Sequence, residues 1–234
     1  MSGAAGEGAR RVGRPRADQR RPVSGQPPRE ELLAAAAQLF TVRGYAATTT
    51  RAVAELAGMR QATMYHYFGG KEELLAELLE STVAPSLALA RRLLAADGPS
   101  AERRLWELCR ADVLLLCSGP HNLGALYLLP EVGGGERFAR FRSLRAELRD
   151  AYRALLRATA AGAELARDAA GLALRNDLVF GLIEGVMLVH RSAPERPVAA
   201  FAEATADAAL RVAGVAPGPS QASGSGGIPA AHAS

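Results

Sequence analysis

The sequence predicts an all-α fold, and three observations support that prediction. Ala and Leu dominate the apolar residues, aromatic residues make up 5% of the chain, and isoleucine occurs only as Ile183 and Ile228. Strands are enriched in β-branched and aromatic residues, so this composition favours helices. Between residues 29 and 214, apolar side chains recur at helical spacing, and no alternating run persists long enough to indicate a strand.

The first part of the chain contains four predicted helices. Their expected positions are about residues 29–43, 49–58, 61–67 and 71–96. Glycines end the first three helices, namely Gly44, Gly58 and the pair Gly69-Gly70. Thr49 or Thr50 caps the second helix, and Pro85 predicts a kink in the fourth.

The second part of the chain contains five further predicted helices, at about residues 100–118, 122–130, 136–160, 168–191 and 197–213. Glycine and proline separate them, and we expect breaks at Gly133–Gly135 and at Gly162. The predicted organisation is a disordered basic arm (1–28), a small helical unit (29–75), a larger helical unit (76–214) and a disordered tail (215–234).

Charge is distributed unevenly along the chain. Residues 1–28 hold six arginines and two acidic residues, which accounts for the whole net charge of +4, and the remainder balances 22 basic against 22 acidic residues. Two cysteines are too few for a disulfide framework, which predicts a reducing, cytoplasmic compartment. We expect no membrane span and no secretory leader, because no sufficiently long apolar run is present.

Residues 44–75 carry the most specific pattern, GYAATTTRAVAELAGMRQATMYHYFGGKEELL. It indicates two short helices joined by a tight turn at Gly58-Met59, and the side chains expected to face inward are Val53, Ala57, Met64 and Phe68. The outward side chains of the second helix are polar, small or aromatic and include no carboxylate: Arg60, Gln61, Ala62, Thr63, Tyr65 and His66. Such a face is typical of a helix-turn-helix that enters the DNA major groove, where Gln pairs with adenine and Arg with guanine.

The same stretch resembles the DNA-binding domain of the TetR family of transcriptional regulators. That family typically shows a Gly-aromatic entry, an inward helix ending in Ala-Gly, a Thr-x-Tyr-x-aromatic-Phe segment and a Lys-x-x-Leu start to the fourth helix. The matching segments are Gly44-Tyr45, Val53-Ala54, Ala57-Gly58, Thr63–Phe68 and Lys71–Leu74. Arg60 and Gly69-Gly70 depart from the pattern and predict a weaker helix cap and a looser turn.

The resemblance implies a role for each matching residue. The implied contacts are Thr49, Thr50 and Lys71 to phosphate, Arg51, Gln61, Ala62 and Thr63 to base edges, a strengthened DNA contact by Arg60, and Tyr65, His66 and Tyr67 to the backbone or thymine methyl groups. The Gly13–Arg16 segment, Gly-Arg-Pro-Arg, is typical of arms that enter a narrow minor groove, and a DNA contact by the arm stays open.

The resemblance also implies an architecture and a function. We expect an N-terminal three-helix helix-turn-helix DNA-binding domain (29–75, with the helix-turn-helix at about 49–68) and a larger C-terminal helical ligand-binding and dimerisation domain. The implied protein is a homodimeric, ligand-responsive regulator, most often a repressor, that binds a near-palindromic operator. Two recognition helices about 34–36 Å apart would enter successive major grooves.

For the effector, we expect an apolar or aromatic small molecule of modest polarity, bound between the helices at about 100–130 and 136–190. The candidate pocket residues are Trp106, Cys109, His121, Asn122, Tyr127, Tyr152, Phe180 and Glu184. Binding there is expected to push on the fourth helix. The family usually pairs its last two helices between protomers, and the candidate interface residues are Leu178, Leu182, Val186, Phe201 and Leu210.

Two other classes of function are alternatives to this interpretation. A ligand-independent architectural DNA-binding protein would need no cavity in its larger domain. An enzyme is disfavoured, because the sequence has no Walker loop, G-x-S-x-G or H-E-x-x-H motif. Cys117 and His121 have the spacing of a metal pair but lack further ligands, so we predict no catalytic residue, metal or cofactor.

Overall fold

The computed structural model describes residues 26–215, which form an all-α fold. The predicted tail beyond Val215 and most of the basic arm, including Gly13–Arg16, lie outside the described residues. The helices are α1 (Pro28–Val42), α2 (Thr50–Leu56), α3 (Gln61–Met64), α4 (Lys71–Ala95), α5 (Ala101–Cys117), α6 (Pro130–Gly134), α7 (Ala139–Ala158), α8 (Ala160–Glu164), α9 (Ala169–Arg191) and α10 (Val198–Val212). Short 3-10 segments occupy Leu123–Leu128, Glu136–Phe138 and Leu165–Arg167.

The first three helices pack with the start of α4 around one small core. The side chains predicted to face inward, Val53, Ala57, Met64 and Phe68, are at most 1% exposed, which confirms the predicted faces of α2 and α3. Phe40 of α1 is equally buried in this core. Close packing of this kind places the opposite side of α3 at the surface.

Local backbone chemistry sets the ends of these helices. Gly44 (φ 90°) and Gly58 (φ 69°) follow α1 and α2 in the left-handed region, which favours glycine because it lacks a Cβ atom. The hydroxyl of Thr49 caps α2 by accepting a hydrogen bond from the Ala52 amide at 3.1 Å. Of the two threonines considered for this cap, Thr49 is therefore the one that fills it.

The long helix α4 belongs to both halves of the molecule. Near its start, Glu77 pairs with Arg29 of α1. Farther along, Arg104 of α5 donates to the carbonyl of Leu93, and Arg91 pairs with Glu147 of α7. α4 continues through Pro85 to Ala95, so one helix connects the N-terminal domain to the elements of the larger domain.

The larger domain is built around α5. This helix packs against α4, α7, α9 and α10, and α4 also packs along α7. Leu105, Leu108 and Val113 of α5 are fully buried, as are Tyr152 and Leu155 of α7. These side chains form the core of the larger domain where the helices meet.

Several predicted element bounds differ from the structure. The expected helix at 61–67 contracts to α3, and the expected helix at 122–130 is a 3-10 segment. The predicted break at Gly133–Gly135 overlaps α6, which Pro130 begins with its fixed φ. Gly162 lies inside α8, where a Cβ atom would lie 1.9 Å from the Leu156 carbonyl oxygen, so this close approach requires glycine.

Candidate nucleic-acid interface and effector cavity

Hydrogen bonds between side chains hold α3 against the start of α2. The Gln61 amide (Nε2) donates to the Thr50 hydroxyl at 3.0 Å, and that hydroxyl lies 3.2 Å from the Tyr65 hydroxyl. Gln61 and Tyr65 are exposed, and Tyr65 leaves 50% of its surface open. These bonds restrict the rotamers of a surface network, so its hydrogen-bonding groups are ordered before any partner arrives.

The other residues predicted on α3 share this exposed side. Arg60, Ala62, His66 and Tyr67 are exposed, and Thr63 is half-buried. Arg60 occupies the N-cap of α3 without a capping hydrogen bond from its side chain, in agreement with the weak cap expected from the sequence. The face combines hydrogen-bonding and aromatic groups and has no acidic residue on α3 itself, which suits a groove lined by phosphates.

Arg51, predicted to reach a base edge, has an intramolecular partner. Its Nε donates to Glu55 Oε1 at 2.8 Å, one helical turn farther along α2, and both side chains are exposed. This hydrogen bond and the charge of Glu55 raise the pKa of Arg51. An exposed pair of this kind is weak, so contact with DNA requires only the exchange of one anionic partner for another.

Lys71 is partly buried and bonds to backbone carbonyls of the turn before α2. Its ammonium group donates to the carbonyls of Tyr45 (3.2 Å), Thr48 (3.4 Å) and Ala46 (3.5 Å), and lies 4.4 Å from the centroid of the Tyr45 ring. The first residue of α4 therefore holds the turn that precedes α2. The predicted phosphate contact would require the ammonium group to exchange one of these carbonyl partners for a phosphate oxygen.

A cavity of about 240 Å³ lies beside α7, and we call it the α7 cavity. Its lining residues are Tyr127, Val132, Gly133, Phe141, Arg142, Arg145, Ala146 and Arg149. The Tyr127 and Phe141 rings lie 5.1 Å apart, and the Tyr127 hydroxyl pairs with the Thr82 hydroxyl on α4. Glu184 of α9 pairs with Arg145. Of the predicted pocket residues, Tyr127 lines this cavity and Glu184 pairs with one of the lining arginines.

A second cavity, of about 230 Å³, lies between the ends of α5 and α9. Its lining residues are Leu116, Cys117, Gly119, Pro120, His121, Asn122, Met187, His190, Arg191 and Pro194. His121 and Asn122 were predicted in one pocket with Tyr127, but the structure separates them. The Asn122 amide donates to the Met187 carbonyl at 3.4 Å, so it holds α9 against the loop that follows α5.

Three other predicted pocket residues are sealed in the core. Tyr152 is fully buried and its hydroxyl donates to Asp112 Oδ2 at 2.7 Å, while the Phe180 ring packs edge-on against it. Cys109 is also fully buried, which raises the pKa of its thiol. Burial raises the pKa of Asp112 to about 6, against the effect of hydrogen bonds from Ser86 and Tyr152. None of these three side chains lines the α7 cavity.

Trp106 also differs from its predicted place. Its indole N–H donates to Asp207 of α10 at 2.8 Å, and Arg103 lies 4.4 Å from the ring centroid. The side chain thus joins α5 to α10. It is partly buried, and no pattern in the sequence identified the helix that covers it.

Three arginines lining the α7 cavity, and Thr82 behind it, were missed in the sequence. Arg142, Arg145 and Arg149 belong to α7, which is rich in arginine along its whole length. The signal that distinguishes them is the apolar pair of Tyr127 and Phe141 beside them, which only the tertiary structure brings together.

The apolar residues predicted at a dimer interface divide into two groups. Leu178 is 54% exposed, while Leu182 and Phe201 are half-buried. Val186 and Leu210 are at most 3% exposed, because they pack into the protomer's own core. These two residues are therefore removed from the proposed interface.

Residues 26–215 contain no cluster of three or more His, Cys, Asp or Glu side chains placed to hold a metal ion. In the same range, no helix is both long and apolar enough to cross a membrane.

Comparison with known proteins gives consistent results. A model of the family described as bacterial regulatory proteins, tetR family, matches residues 32–78. The chain is 31% identical over 146 residues to the HTH-type transcriptional repressor KstR2 of Rhodococcus jostii (strain RHA1), which covers 62% of this chain and 70% of that protein.

Solved structures share the fold over most of the chain. Mycobacterium smegmatis AmtR is 44% identical with a TM-score of 0.72, covering 86% of this chain and 92% of that one. AibR, crystallised with isovaleryl coenzyme A and operator DNA, is 18% identical with a TM-score of 0.61, covering 81% and 98%. The likeness to AibR concerns the fold alone.

Proposed function

Because the chain belongs to the TetR family of bacterial regulatory proteins, we propose that it is a homodimeric repressor that a small molecule releases from its operator. Members of this family are DNA-binding transcription factors rather than enzymes. The observation that carries the proposal is the exposed face of α3, free of acidic residues and bonded to α2 through Gln61, Thr50 and Tyr65. Its place of action would be the bacterial cytoplasm, where the DNA is.

The proposed DNA contacts follow the exposure of each side chain. Gln61, Ala62 and Thr63 begin the helix that would enter the major groove, where Gln61 exchanges its bond with Thr50 for a base edge. Arg51 and Arg60 flank these three residues. Tyr65, His66 and Tyr67 follow them toward the DNA backbone. Thr49 and Thr50 supply hydroxyls at the start of α2, where backbone N–H groups also favour phosphate.

The proposed dimer interface is a stripe along α9. It consists of Leu174, Leu178, Gly181, Gly185 and Leu188, spaced four and three residues apart in turn. This is the spacing of helices that pack at a small crossing angle with interlocking side chains. The three leucines are more than half exposed in the protomer, and space is open beside both glycines. Leu182 follows Gly181 on α9, and the Phe201 ring of α10 stacks on His190 of α9.

The α7 cavity is proposed as the effector site because it adjoins α4. Tyr127 lines the cavity and pairs with Thr82 of α4, and Arg140 of α7 pairs with Glu80 of α4 at 3.1 Å. Ten residues of α4 separate Thr82 from Lys71, and Lys71 holds the turn before α2. A ligand that moves Tyr127 would thus tilt α4 and change the separation of the two recognition helices.

The relatives support this interpretation over the architectural alternative. KstR2 is named as a repressor, and AibR shows that a protein of this fold holds both an acyl-coenzyme A and operator DNA. Nothing in these comparisons favours an architectural protein without a ligand.

Selection of bound sequences from random duplex DNA tests the proposed function directly. The full chain is expected to enrich a near-palindrome and to bind it as a dimer, with half-sites one helical turn apart. Binding without any enriched sequence would contradict a specific repressor and favour the architectural alternative.

A further inference from the structure

The α7 cavity is lined by three arginines from one face of α7. Arg142, Arg145 and Arg149 are three and four residues apart, a spacing that places their side chains together on a helix. The cavity's lining includes no acidic residue. Three guanidinium groups therefore surround a space that is otherwise bounded by Tyr127, Phe141 and small or apolar residues.

Arg142 is held in place by backbone oxygen atoms. Its Nη1 donates to the Gly135 carbonyl at 2.8 Å and to the Val132 carbonyl at 3.0 Å. Within residues 26–215, it forms no ion pair with a carboxylate, although many other arginines of the chain do. The guanidinium plane is thus oriented before a ligand binds, and its charge is not compensated locally.

The other two arginines have carboxylate partners on α9. Arg145 pairs with both oxygens of Glu184, and Arg149 lies 4.0 Å from Asp177 with both side chains half exposed. Three positive groups against these two carboxylates leave one positive charge in surplus. The weak Arg149–Asp177 pair leaves that guanidinium able to turn toward an anion beside Arg142.

The remaining walls are apolar and the space is small. Tyr127, Val132 and Phe141 form a surface on which a ring or branched chain can lie, with the two aromatic rings 5.1 Å apart. A volume of about 240 Å³ equals that of about eight water molecules in the liquid. The space suits a molecule of about ten non-hydrogen atoms, below the usual range for drug-sized ligands.

We propose that the α7 cavity binds a small organic anion, with its apolar body on Tyr127 and Phe141 and its carboxylate or phosphate on Arg142 and Arg149. Planar guanidinium groups bind either anion through paired hydrogen bonds. This inference rests on the proposed function only in treating the anion as the effector. The sequence predicts an effector of modest polarity, whereas the lining of the α7 cavity indicates an acid.

Three probes of nearly equal size test the charge of the ligand. Phenylacetate and phenyl phosphate carry the two candidate anions, and phenylacetamide is a neutral analogue of phenylacetate. Titration calorimetry and thermal unfolding of the full chain, without DNA, should detect at least one anion with a Kd of about 1 mM or tighter. Phenylacetamide should bind at least about tenfold more weakly. Which anion binds more tightly distinguishes a carboxylate effector from a phosphate effector.

Variants of α7 test the residues. Arg142→Gln should weaken binding of the anion about 10–100-fold, whereas Arg153→Gln, on an exposed arginine of the same helix paired with Asp150, should leave it unchanged. Ala146 is exposed and lines the cavity, so the larger side chain of Ala146→Glu does not have to fit into the core. Its carboxylate should repel the anion and abolish binding. This second variant keeps the test informative if Arg142→Gln unfolds.

Three results would overturn the proposal: no binding of either anion at about 10 mM, equal binding of phenylacetamide and phenylacetate, or unchanged anion binding by Ala146→Glu. The role in gene regulation is tested separately, by adding the same probes to the operator complex. Anion binding that depends on Arg142 but leaves DNA bound would keep the site and contradict release by this class of ligand.

Discussion

The DNA-binding end and the larger domain place their polar side chains in opposite environments. At the DNA-binding end, Gln61 and Tyr65 bond to Thr50 on an exposed surface. In the larger domain, Tyr152 bonds to Asp112 in a sealed core. Exposed bonds can be exchanged for bonds to DNA at little cost, whereas buried ones fix the packing and shift pKa values. Recognition and stability are therefore assigned to different networks, joined by α4.

The largest expected effect comes from breaking the proposed dimer. Leu178→Glu places a charge in the middle of the α9 stripe, and the protomer should stay folded because this leucine is 54% exposed. Loss of the second half-site should weaken operator binding by about 10²–10⁴-fold. Light scattering and gel-shift titration would measure the mass and the affinity.

The matched control for this experiment is Leu128→Glu, because Leu128 is 84% exposed outside the stripe. It should remain dimeric and bind the operator as the parent does. A dimeric Leu178→Glu variant would remove α9 from the interface.

The buried network predicts a pH dependence of stability. The pKa of Asp112 is about 6 in the folded protein against 3.8 for its ordinary value, so the folded state binds this proton more tightly. Its stabilising contribution is full below about pH 4 and is lost as the pH rises through about 6. The loss amounts to about 3 kcal/mol.

Asp112→Asn isolates this contribution. Urea unfolding from pH 4 to pH 8 should show that the parent loses stability relative to the variant as the pH rises, and that the difference levels off above about pH 7. Parallel profiles for the two proteins would show that Asp112 does not titrate in this range.

A smaller effect is expected at the joint between α4 and the DNA-binding end. Lys71→Met removes the ammonium group from three carbonyls and the Tyr45 ring, which should cost about 2 kcal/mol in unfolding free energy. Operator binding should weaken through the loosened turn, with an unchanged slope of log affinity against log salt. A slope shallower by about 1 would instead identify Lys71 as a phosphate contact.

The smallest expected effect lies where α4 meets the α7 cavity, at the start of the proposed path from Tyr127 through α4 to the DNA-binding end. Thr82→Val removes the hydroxyl that pairs with Tyr127 and keeps its size. Operator affinity without a ligand should change little, while the anion should lose about 1 kcal/mol of its coupling to DNA release. The concentration of phenylacetate or phenyl phosphate that releases half of the operator measures this coupling. An identical concentration in parent and variant would place the path elsewhere.

The two regions also differ in how far the sequence predicted them. Val53, Met64 and Phe68 were placed correctly because the two short helices and their turn lie within one stretch of about 20 residues, so local spacing determines their faces. Trp106 bonds to α10 and Tyr152 to α5, and neither partner could be predicted because spacing identifies a buried face but not the helix that covers it. Arg142 and Tyr127 meet only through folding of the larger domain, so no local pattern indicated the α7 cavity.

The central claim is that exposed groups on α3 read the DNA sequence, and Gln61→Ala tests it most directly. The measurement is the ratio of affinities for the selected operator and for random duplex DNA at one salt concentration. Loss of a base contact should lower this ratio by about 1–3 kcal/mol, about 5–150-fold, and leave binding to random DNA unchanged. An unchanged ratio, whether both affinities stay the same or both fall equally, would contradict the claim that Gln61 reads bases.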